Sequence, residues 1–204
     1  MEPGKFIVVE GIDGAGKSTH LEFICQAIER HRGAKALLTR EPGGTPLAER
    51  IRELLLHEPM DSDTEVLLAV AARRDHVINV IKPALESGQW VVCDRFTEST
   101  RAYQGGGGGV DMAWIDRLNQ QATLGLKPDR TYLFDAPAEL AAQRRSQRGR
   151  ASDRFESQDA EFFDRVRDVY LNRPQVDSFK RLVIDSSETV INIQKLLEKD
   201  ISSL

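Results

Sequence analysis

One segment of the sequence has residue types and spacing suited to binding nucleotide phosphates. It runs from Gly11 to Thr19, fits the pattern G-x-x-x-x-G-K-[ST], and lies between an apolar run and a stretch with helical periodicity. Glycines in such a loop let backbone N–H groups surround phosphate oxygens, and the N-terminus of the following helix adds partial positive charge. Lys17 would reach the β and γ oxygens, and the Ser18 hydroxyl would ligate Mg²⁺. The residues predicted to bind ATP here are Gly11, Ile12, Asp13, Gly14, Ala15, Gly16, Lys17, Ser18 and Thr19.

A second group of candidate residues follows two other apolar runs. Asp94 and Arg95 come directly after the run Trp90 to Cys93. There Asp94 would hold a Mg²⁺-bound water, and Arg95 would bind a phosphate with two hydrogen bonds. Arg40 follows another short run, and Arg52 lies one predicted helix further on. Both are candidate contacts for the phosphate of an acceptor. The phosphate loop alone is compatible with a kinase, an ATPase motor or a GTPase switch. The residues of the second group must therefore distinguish between these classes of protein.

The elements that would position these residues alternate between strand and helix. Continuous apolar runs predict five strands buried on both faces, at Phe6 to Val9, Ala36 to Thr39, Trp90 to Cys93, Thr131 to Phe134 and Leu182 to Ile184. Helices are predicted for the stretch that holds Leu21 to Ile28 and for Leu47 to Leu56, Thr64 to Glu86, Met112 to Leu124, Ala138 to Gln147, Asp159 to Asn172 and Glu188 to Asp200. The pattern predicts an α/β fold with a parallel sheet, whose carboxyl edge would hold all the candidate residues.

Length and charge restrict the class of protein. A chain of 204 residues fits one domain, 1–204, and 28 Lys and Arg against 32 Asp and Glu give a net charge of −4. This charge argues against a nucleic-acid partner or an anionic membrane. No long apolar segment or leader pattern is visible, so we expect a cytoplasmic protein. Cys25 and Cys93 are the only cysteines, and neither has the spacing of a metal site.

Taken together, five motifs resemble the thymidylate kinase family of the bacterial type, across nearly the whole chain. They are Gly11 to Thr19, Thr39 to Thr45, Asp94-Arg95-Phe96, Ala102 to Gly107 and Asp153 to Glu156. The resemblance implies a P-loop NTPase fold of the nucleoside-monophosphate-kinase type, which transfers the γ-phosphoryl group of ATP to dTMP and gives dTDP for dTTP synthesis. It also implies ATP and Mg²⁺ as cofactors and a homodimer.

The resemblance also implies roles for individual residues. Arg52 and Arg95 would hold the acceptor phosphate, Asp13 its sugar, and Arg74, Thr100 and Gln104 the thymine. Ser99 and Tyr103 would border the same pocket, together with Arg40, Pro42 and Val70. A lid of about residues 143–156 would close over ATP, with Arg144 binding the nucleotide and Arg148, Arg150 and Arg154 acting in catalysis beside Lys17, Asp94 and Arg95.

Two positions depart from the family pattern. Val70 stands where a phenylalanine usually packs on the thymine ring, four residues before the base-facing arginine. Gly108 stands where the glycine run often has an arginine, so we expect Gly105 to Gly109 to form a longer, flexible loop.

Three alternatives remain to be weighed. Another nucleotide or small-metabolite kinase would share the phosphate loop and differ in the acceptor pocket. An adenylate kinase is disfavoured because the phosphate loop lacks proline, and a GTPase switch because no Asn-Lys-x-Asp stretch occurs. An inactive scaffold finds no support, since Lys17, Ser18, Asp94 and Arg95 are all present.

Overall fold

A computed structural model describes residues 3–147, 153–172 and 180–204 of the chain. Within these ranges, five parallel strands form one sheet in the order β2-β3-β1-β4-β5. The strands are β1 (Phe6–Glu10), β2 (Leu37–Arg40), β3 (Val91–Asp94), β4 (Arg130–Asp135) and β5 (Arg181–Asp185). The predicted α/β fold with a five-stranded parallel sheet is therefore confirmed, with each strand within two residues of its predicted bounds.

Helices connect the strands and cover the sheet. They are α1 (Ser18–Arg32), α2 (Pro46–His57), α3 (Ser62–His76), α4 (Lys82–Glu86), α5 (Thr97–Thr100), α6 (Met112–Thr123), α7 (Ala138–Ser146), α8 (Ala160–Leu171) and α9 (Val190–Ser203). A π-helical stretch, Val77–Ile81, joins α3 to α4, so the predicted helix from Thr64 to Glu86 is continuous but changes its winding. Four N-cap side chains start α2, α3, α6 and α8 by accepting backbone N–H bonds: Thr45, Asp61, Asp111 and Asp159.

The inner strands β1, β3 and β4 are largely buried because both faces of the sheet are covered there. The edge strands β2 and β5 keep exposed side chains, such as Leu38 and Val183, so the prediction of burial on both faces was wrong for these two strands. In β1, Ile7 and Val9 belong to one core layer, which includes Ile24 of α1, Phe163 of α8 and Leu197 of α9. Phe6 and Val8 belong to the other layer, with Val77, Ile81 and Phe96. All five β1 residues are buried, as the unbroken apolar run predicts.

The glycine run does not form the loop that was expected. Arg101–Gly107 is a π-helical segment that packs against α8, and Gly105 is buried. A Cβ at Gly106 would lie 2.5 Å from Cγ2 of Val169, and one at Gly107 would lie 2.3 Å from the Phe162 ring. The glycines are needed because two helical backbones approach closely here, so the expectation of a flexible loop was wrong.

No helix in the described ranges combines the length and the apolar character that a membrane span requires.

Candidate active site

The phosphate loop leaves β1 at the carboxyl edge of the sheet. Gly11, Gly14 and Gly16 all have positive φ, and a Cβ at Gly14 would lie 2.2 Å from the Ala141 carbonyl oxygen of α7. Glycine is therefore required both for the turn and for the close approach of α7. The loop runs into α1 at Ser18, so the helix N-terminus follows the loop as the motif predicts.

Lys17 is buried at the mouth of this loop. Its Nζ donates to the carbonyl oxygens of Gly11 and Ile12, at 2.8 and 3.1 Å. Burial, followed by the charge of Arg95, lowers the pKa of Lys17 to about 8. The ammonium is thus held next to the space where phosphates would enter, and its hydrogen-bond partners among the described residues are backbone oxygens.

Arg95, at the end of β3, is the centre of a charged cluster with Asp13. Its Nη2 lies 2.7 Å from Oδ1 of Asp13 and 3.0 Å from the Tyr103 hydroxyl, which itself donates to Oδ2 of Asp13 at 2.8 Å. Burial raises the pKa of Asp13, but the charges of Arg95 and Lys17 outweigh it and hold that pKa below its usual range. Arg95 has a φ of 74°, a left-handed conformation that is uncommon for a non-glycine residue. Such a conformation is kept where the surroundings impose it, which is common at functional sites.

Buried polar side chains beneath Arg95 hold its second terminal nitrogen, Nη1. Arg95 Nη1 donates to the hydroxyls of Ser99 and Tyr170, at 3.1 and 3.3 Å. Both hydroxyls also contact Oε2 of Glu10, at 2.7 and 3.0 Å. Burial raises the pKa of Glu10, and the nearby Glu98 charge raises it further. Sequence reasoning missed Glu10 and Tyr170, because neither belongs to a motif.

Asp94 has the environment expected of a group that acts on a metal-bound water. Its Oδ1 is buried and has no hydrogen-bond partner among the described residues. Buried carboxylate oxygens normally have a partner, so this one fits a site completed by water or a cation. The Ser18 hydroxyl, exposed at the start of α1, is another oxygen group of the type that could ligate Mg²⁺.

A cleft beside Arg95 collects most of the predicted acceptor-binding residues. Of those predicted, the structure places Asp13, Pro42, Arg52, Arg95, Ser99, Thr100, Tyr103 and Gln104 on its walls. Arg52 donates to the Pro42 carbonyl oxygen at 3.1 Å, and burial together with the charges of Arg40 and Arg95 lowers its pKa. Residues that were not predicted to bind the acceptor also line the cleft: Glu41, Leu55, Leu56, Ala69, Arg73, Phe96, Asp153 and Phe155.

The prediction was wrong for Arg74 and Val70, by one position along α3. Both face a separate groove against α6, and the exposed Arg74 donates to the Gln121 carbonyl oxygen. Arg73 and Ala69 line the cleft instead. Successive helical residues point about 100° apart, so a shift of one residue moves a side chain to another face. The sequence has apolar residues on both faces of α3, which left its orientation ambiguous.

Arg73 is held by a buried network. Its Nε lies 2.6 Å from Oε2 of Glu41, and its Nη atoms donate to the Thr100 hydroxyl, the Phe96 carbonyl oxygen and the Asn119 side chain. Glu41 is fixed in turn by His76, whose Nδ1 lies 3.1 Å from Oε1. Arg73 is therefore a rigid wall of the cleft. The other predicted contact from this region, Arg40, points to solvent and pairs with Glu49, so it does not line the cleft.

The arginines of the predicted lid divide between the two halves of the site. Arg145 donates to the Asp13 carbonyl oxygen at 2.7 Å, and Arg144 Nη1 lies 3.5 Å from where a Cβ on Gly16 would stand. Arg154 lies instead beside the acceptor cleft, with Nη1 2.5 Å from Glu65 and further bonds to the Leu55 carbonyl oxygen. The contacts that Arg154 makes in this structure are thus with α2 and α3, and its predicted role beside ATP stays a prediction. Arg148 and Arg150 lie outside the described residues.

Comparisons with known proteins agree on one family. Residues 9–197 match the family model described as thymidylate kinase. Relatives named thymidylate kinase include one from Ralstonia nicotianae, 50% identical over 98% of this chain and 99% of the relative, and one from Burkholderia vietnamiensis, 47% identical over the full length of both. The crystal structure of thymidylate kinase from Ehrlichia chaffeensis is similar, with a TM-score of 0.79 and 35% identity, over 98% of this chain and 99% of that one.

Proposed function

The chain belongs to the thymidylate kinase family and phosphorylates dTMP to dTDP with ATP, and we propose that the phosphate loop and the cleft beside it each bind one of the two substrates. ATP binds at the phosphate loop, and dTMP binds in the cleft beside it. The observation that carries this division is the cluster of Asp13 with Arg95. It places the phosphate loop and the acceptor cleft within one hydrogen bond of each other.

On the ATP side, Lys17 binds the β and γ oxygens. Its Nζ donates to two neutral carbonyl oxygens, and phosphate oxygens are stronger acceptors for an ammonium group. Arg144 and Arg145 flank the same loop and add positive charge. Catalysis of phosphoryl transfer is largely positioning and charge stabilisation, which this set of cations supplies.

Ser18 and Asp94 are the residues that would hold Mg²⁺, Ser18 directly and Asp94 through water. The unpartnered Oδ1 of Asp94 and the hydroxyl at the start of α1 fit a hard cation that prefers oxygen ligands. Bound there, Mg²⁺ supplies positive charge to the phosphate oxygens of ATP.

On the acceptor side, Arg95 and Arg52 hold the phosphate of dTMP. Its second ionisation has a pKa near 6, so the attacking oxygen is largely deprotonated at neutral pH and needs no general base. The support of Arg95 by Asp13, Ser99 and Tyr170 fixes the guanidinium, so that the acceptor oxygen is aligned with the γ-phosphorus.

The base lies deeper in the cleft, against Arg73, Thr100 and Gln104. With Arg73 as the base-facing arginine, the position four residues earlier is Ala69, so no aromatic ring comes from α3. Phe155 lines the same cleft and makes an edge contact with Tyr103, with ring centroids 5.9 Å apart. Phe155 therefore supplies an aromatic surface for the thymine from the end of the lid segment.

A panel of acceptors tests this function. ADP release is followed with ATP-Mg²⁺ and dTMP, dUMP, UMP, CMP, AMP or GMP, each offered separately, and with Lys17→Ala as the control for contaminating kinases. Preference for dTMP that disappears in the variant supports the proposal. Preference for another acceptor contradicts the assignment of the cleft to thymidylate.

We also propose that the protein is a homodimer through the outer face of α3 and α6. Leu67 and Leu124 on this face are 51% and 52% exposed, and the groove between them is lined mainly by apolar residues. A second copy of the same face would cover these side chains. Leu67→Arg is expected to give a monomer by light scattering, and a variant that stays dimeric would place the interface elsewhere.

A further inference from the structure

Glu65 on α3 is a buried carboxylate behind the wall of the acceptor cleft. It is 7% exposed, and it does not line the cleft itself. Its Oε2 accepts a hydrogen bond from Nε2 of Gln104 at 2.9 Å, and its Oε1 lies 2.5 Å from Nη1 of Arg154. Both carboxylate oxygens thus have a partner, and Gln104 is the one that faces the cleft.

The chemistry of this pair determines which way the Gln104 amide points. A side-chain amide has one donor end, the NH₂ group, and one acceptor end, the oxygen. A carboxylate accepts hydrogen bonds and donates none, so the NH₂ end of Gln104 must face Glu65. The amide oxygen is the end that remains to meet a ligand. Gln104 is 6% exposed, so water cannot readily replace a lost partner.

A hydrogen-bond acceptor on the protein at this position distinguishes the pyrimidine bases. Thymine and uracil carry a hydrogen on N3 and can donate to the amide oxygen. Cytosine has a lone pair on N3, so it would place two acceptors against each other in a buried site. Such a mismatch disfavours the wrong ligand through an unpaired polar group, which is a strong source of specificity.

We propose that Glu65 is a positioning residue that fixes the Gln104 amide with its oxygen toward the acceptor base, and so selects pyrimidines that carry N3–H. This inference rests on the proposed binding of dTMP in the cleft. Arg154 holds the other carboxylate oxygen of Glu65, Oε1. It also donates to the Leu55 carbonyl oxygen at 3.0 Å, so the end of the lid segment holds Glu65 in place.

The test is the discrimination between dUMP and dCMP, which differ only at N3 and C4 of the base. Glu65→Gln keeps the size of the side chain, but the amide introduced at position 65 can either donate or accept. The side-chain amide of Gln104 is then free to flip. We expect the ratio of kcat/KM for dUMP to that for dCMP to fall about tenfold, equivalent to about 1.4 kcal/mol. Glu53→Gln, with a 69% exposed side chain on α2, is the matched control and should leave the ratio unchanged.

A double-mutant cycle separates positioning from a structural effect. In a Gln104→Met background, Glu65→Gln should have no further effect on the ratio, because the residue through which it acts is gone. Glu65→Asp, which still only accepts hydrogen bonds, should retain most of the discrimination. A folded Glu65→Gln enzyme with an unchanged ratio would overturn the inference, and so would an equal loss in both backgrounds.

A measurement on the unmodified enzyme covers the case in which Glu65→Gln does not fold. The side-chain NH₂ resonances of Gln104 are identified by their loss in Gln104→Met. They should shift little when dUMP binds, because they face Glu65. A large shift would mean that the NH₂ end meets the base, which contradicts the proposal. Wild-type enzyme that fails to phosphorylate dTMP would instead refute the proposed function, so the two failures are distinguishable.

Discussion

Neighbouring arginines on α3 give a sharp test of how this helix is oriented. Arg73 is buried in the cleft wall, whereas Arg74 is exposed and makes one bond to the Gln121 carbonyl oxygen. Arg73→Met and Arg74→Met make the same chemical change one residue apart. If the orientation is right, the first substitution disrupts the core of the site and the second barely affects the protein.

The structure sets the expected size of the difference. Arg73 and Glu41 have side chains only 3% and 2% exposed, so Arg73→Met leaves a buried carboxylate that keeps its contact with His76 but loses the guanidinium. Breaking such a pair costs about 3–5 kcal/mol of folding stability, whereas exposed substitutions stay within about 0.5 kcal/mol. Because His76 stays in contact with Glu41, we expect a value near the lower end for Arg73→Met.

Urea unfolding followed by circular dichroism measures both substitutions in the Leu67→Arg background, so that the proposed dimer contact of the groove that Arg74 lines does not contribute. With a slope of about 2 kcal/mol per molar urea, the midpoint of Arg73→Met should fall by about 1.5 M or more. The midpoint of Arg74→Met should move by less than about 0.3 M on the same slope. Equal destabilisation by both substitutions, or a larger effect at Arg74, would refute the orientation of α3.

Three further predictions concern other parts of the molecule. Gly107→Ala puts a Cβ 2.3 Å from the Phe162 ring and should cost about 1–3 kcal/mol, so an unchanged melting temperature would contradict the close packing on α8. Burial lowers the pKa of His20 below its usual 6.5, so its stabilising effect should be complete above about pH 6.5 and be lost as the pH falls. Urea midpoints between pH 7 and 5 should therefore decline less in His20→Gln, and parallel declines would argue against this role. Asp94→Asn should raise the Mg²⁺ concentration for half-maximal activity several-fold, and an unchanged Mg²⁺ titration would remove Asp94 from the metal site.

Local sequence patterns predicted the sheet and the phosphate loop well. Each strand contains a short apolar run, and in β1 burial of both faces requires such a run. The loop from Gly11 to Thr19 is recognisable because its function imposes residue types at fixed spacing. Arg95, Ser99 and Gln104 follow a single strand and line one cleft, while their contacts with the acceptor stay a prediction.

The misplaced residues depended on features that no local pattern contains. The choice between Arg73 and Arg74 depends on which face of α3 packs inward, and Ala69 and Val70 are equally acceptable in either position. Helical packing of the glycine run could not be read from its composition, because the need for glycine comes from α8, more than fifty residues later. Glu65 and Glu10 act through buried hydrogen bonds to residues distant in sequence, so only the structure brings them to notice.

The central claim is that Lys17 and Arg95 serve the two substrates of one phosphoryl transfer. Its most direct test is single-turnover transfer from γ-labelled ATP to dTMP, measured as labelled dTDP in wild type, Lys17→Met and Arg95→Met, with folding checked by circular dichroism. Wild type should form labelled dTDP, and each variant should be slower by at least about 10²-fold, the usual cost of removing a group that stabilises transition-state charge. Labelled dTDP formed at the wild-type rate by either folded variant would contradict the account.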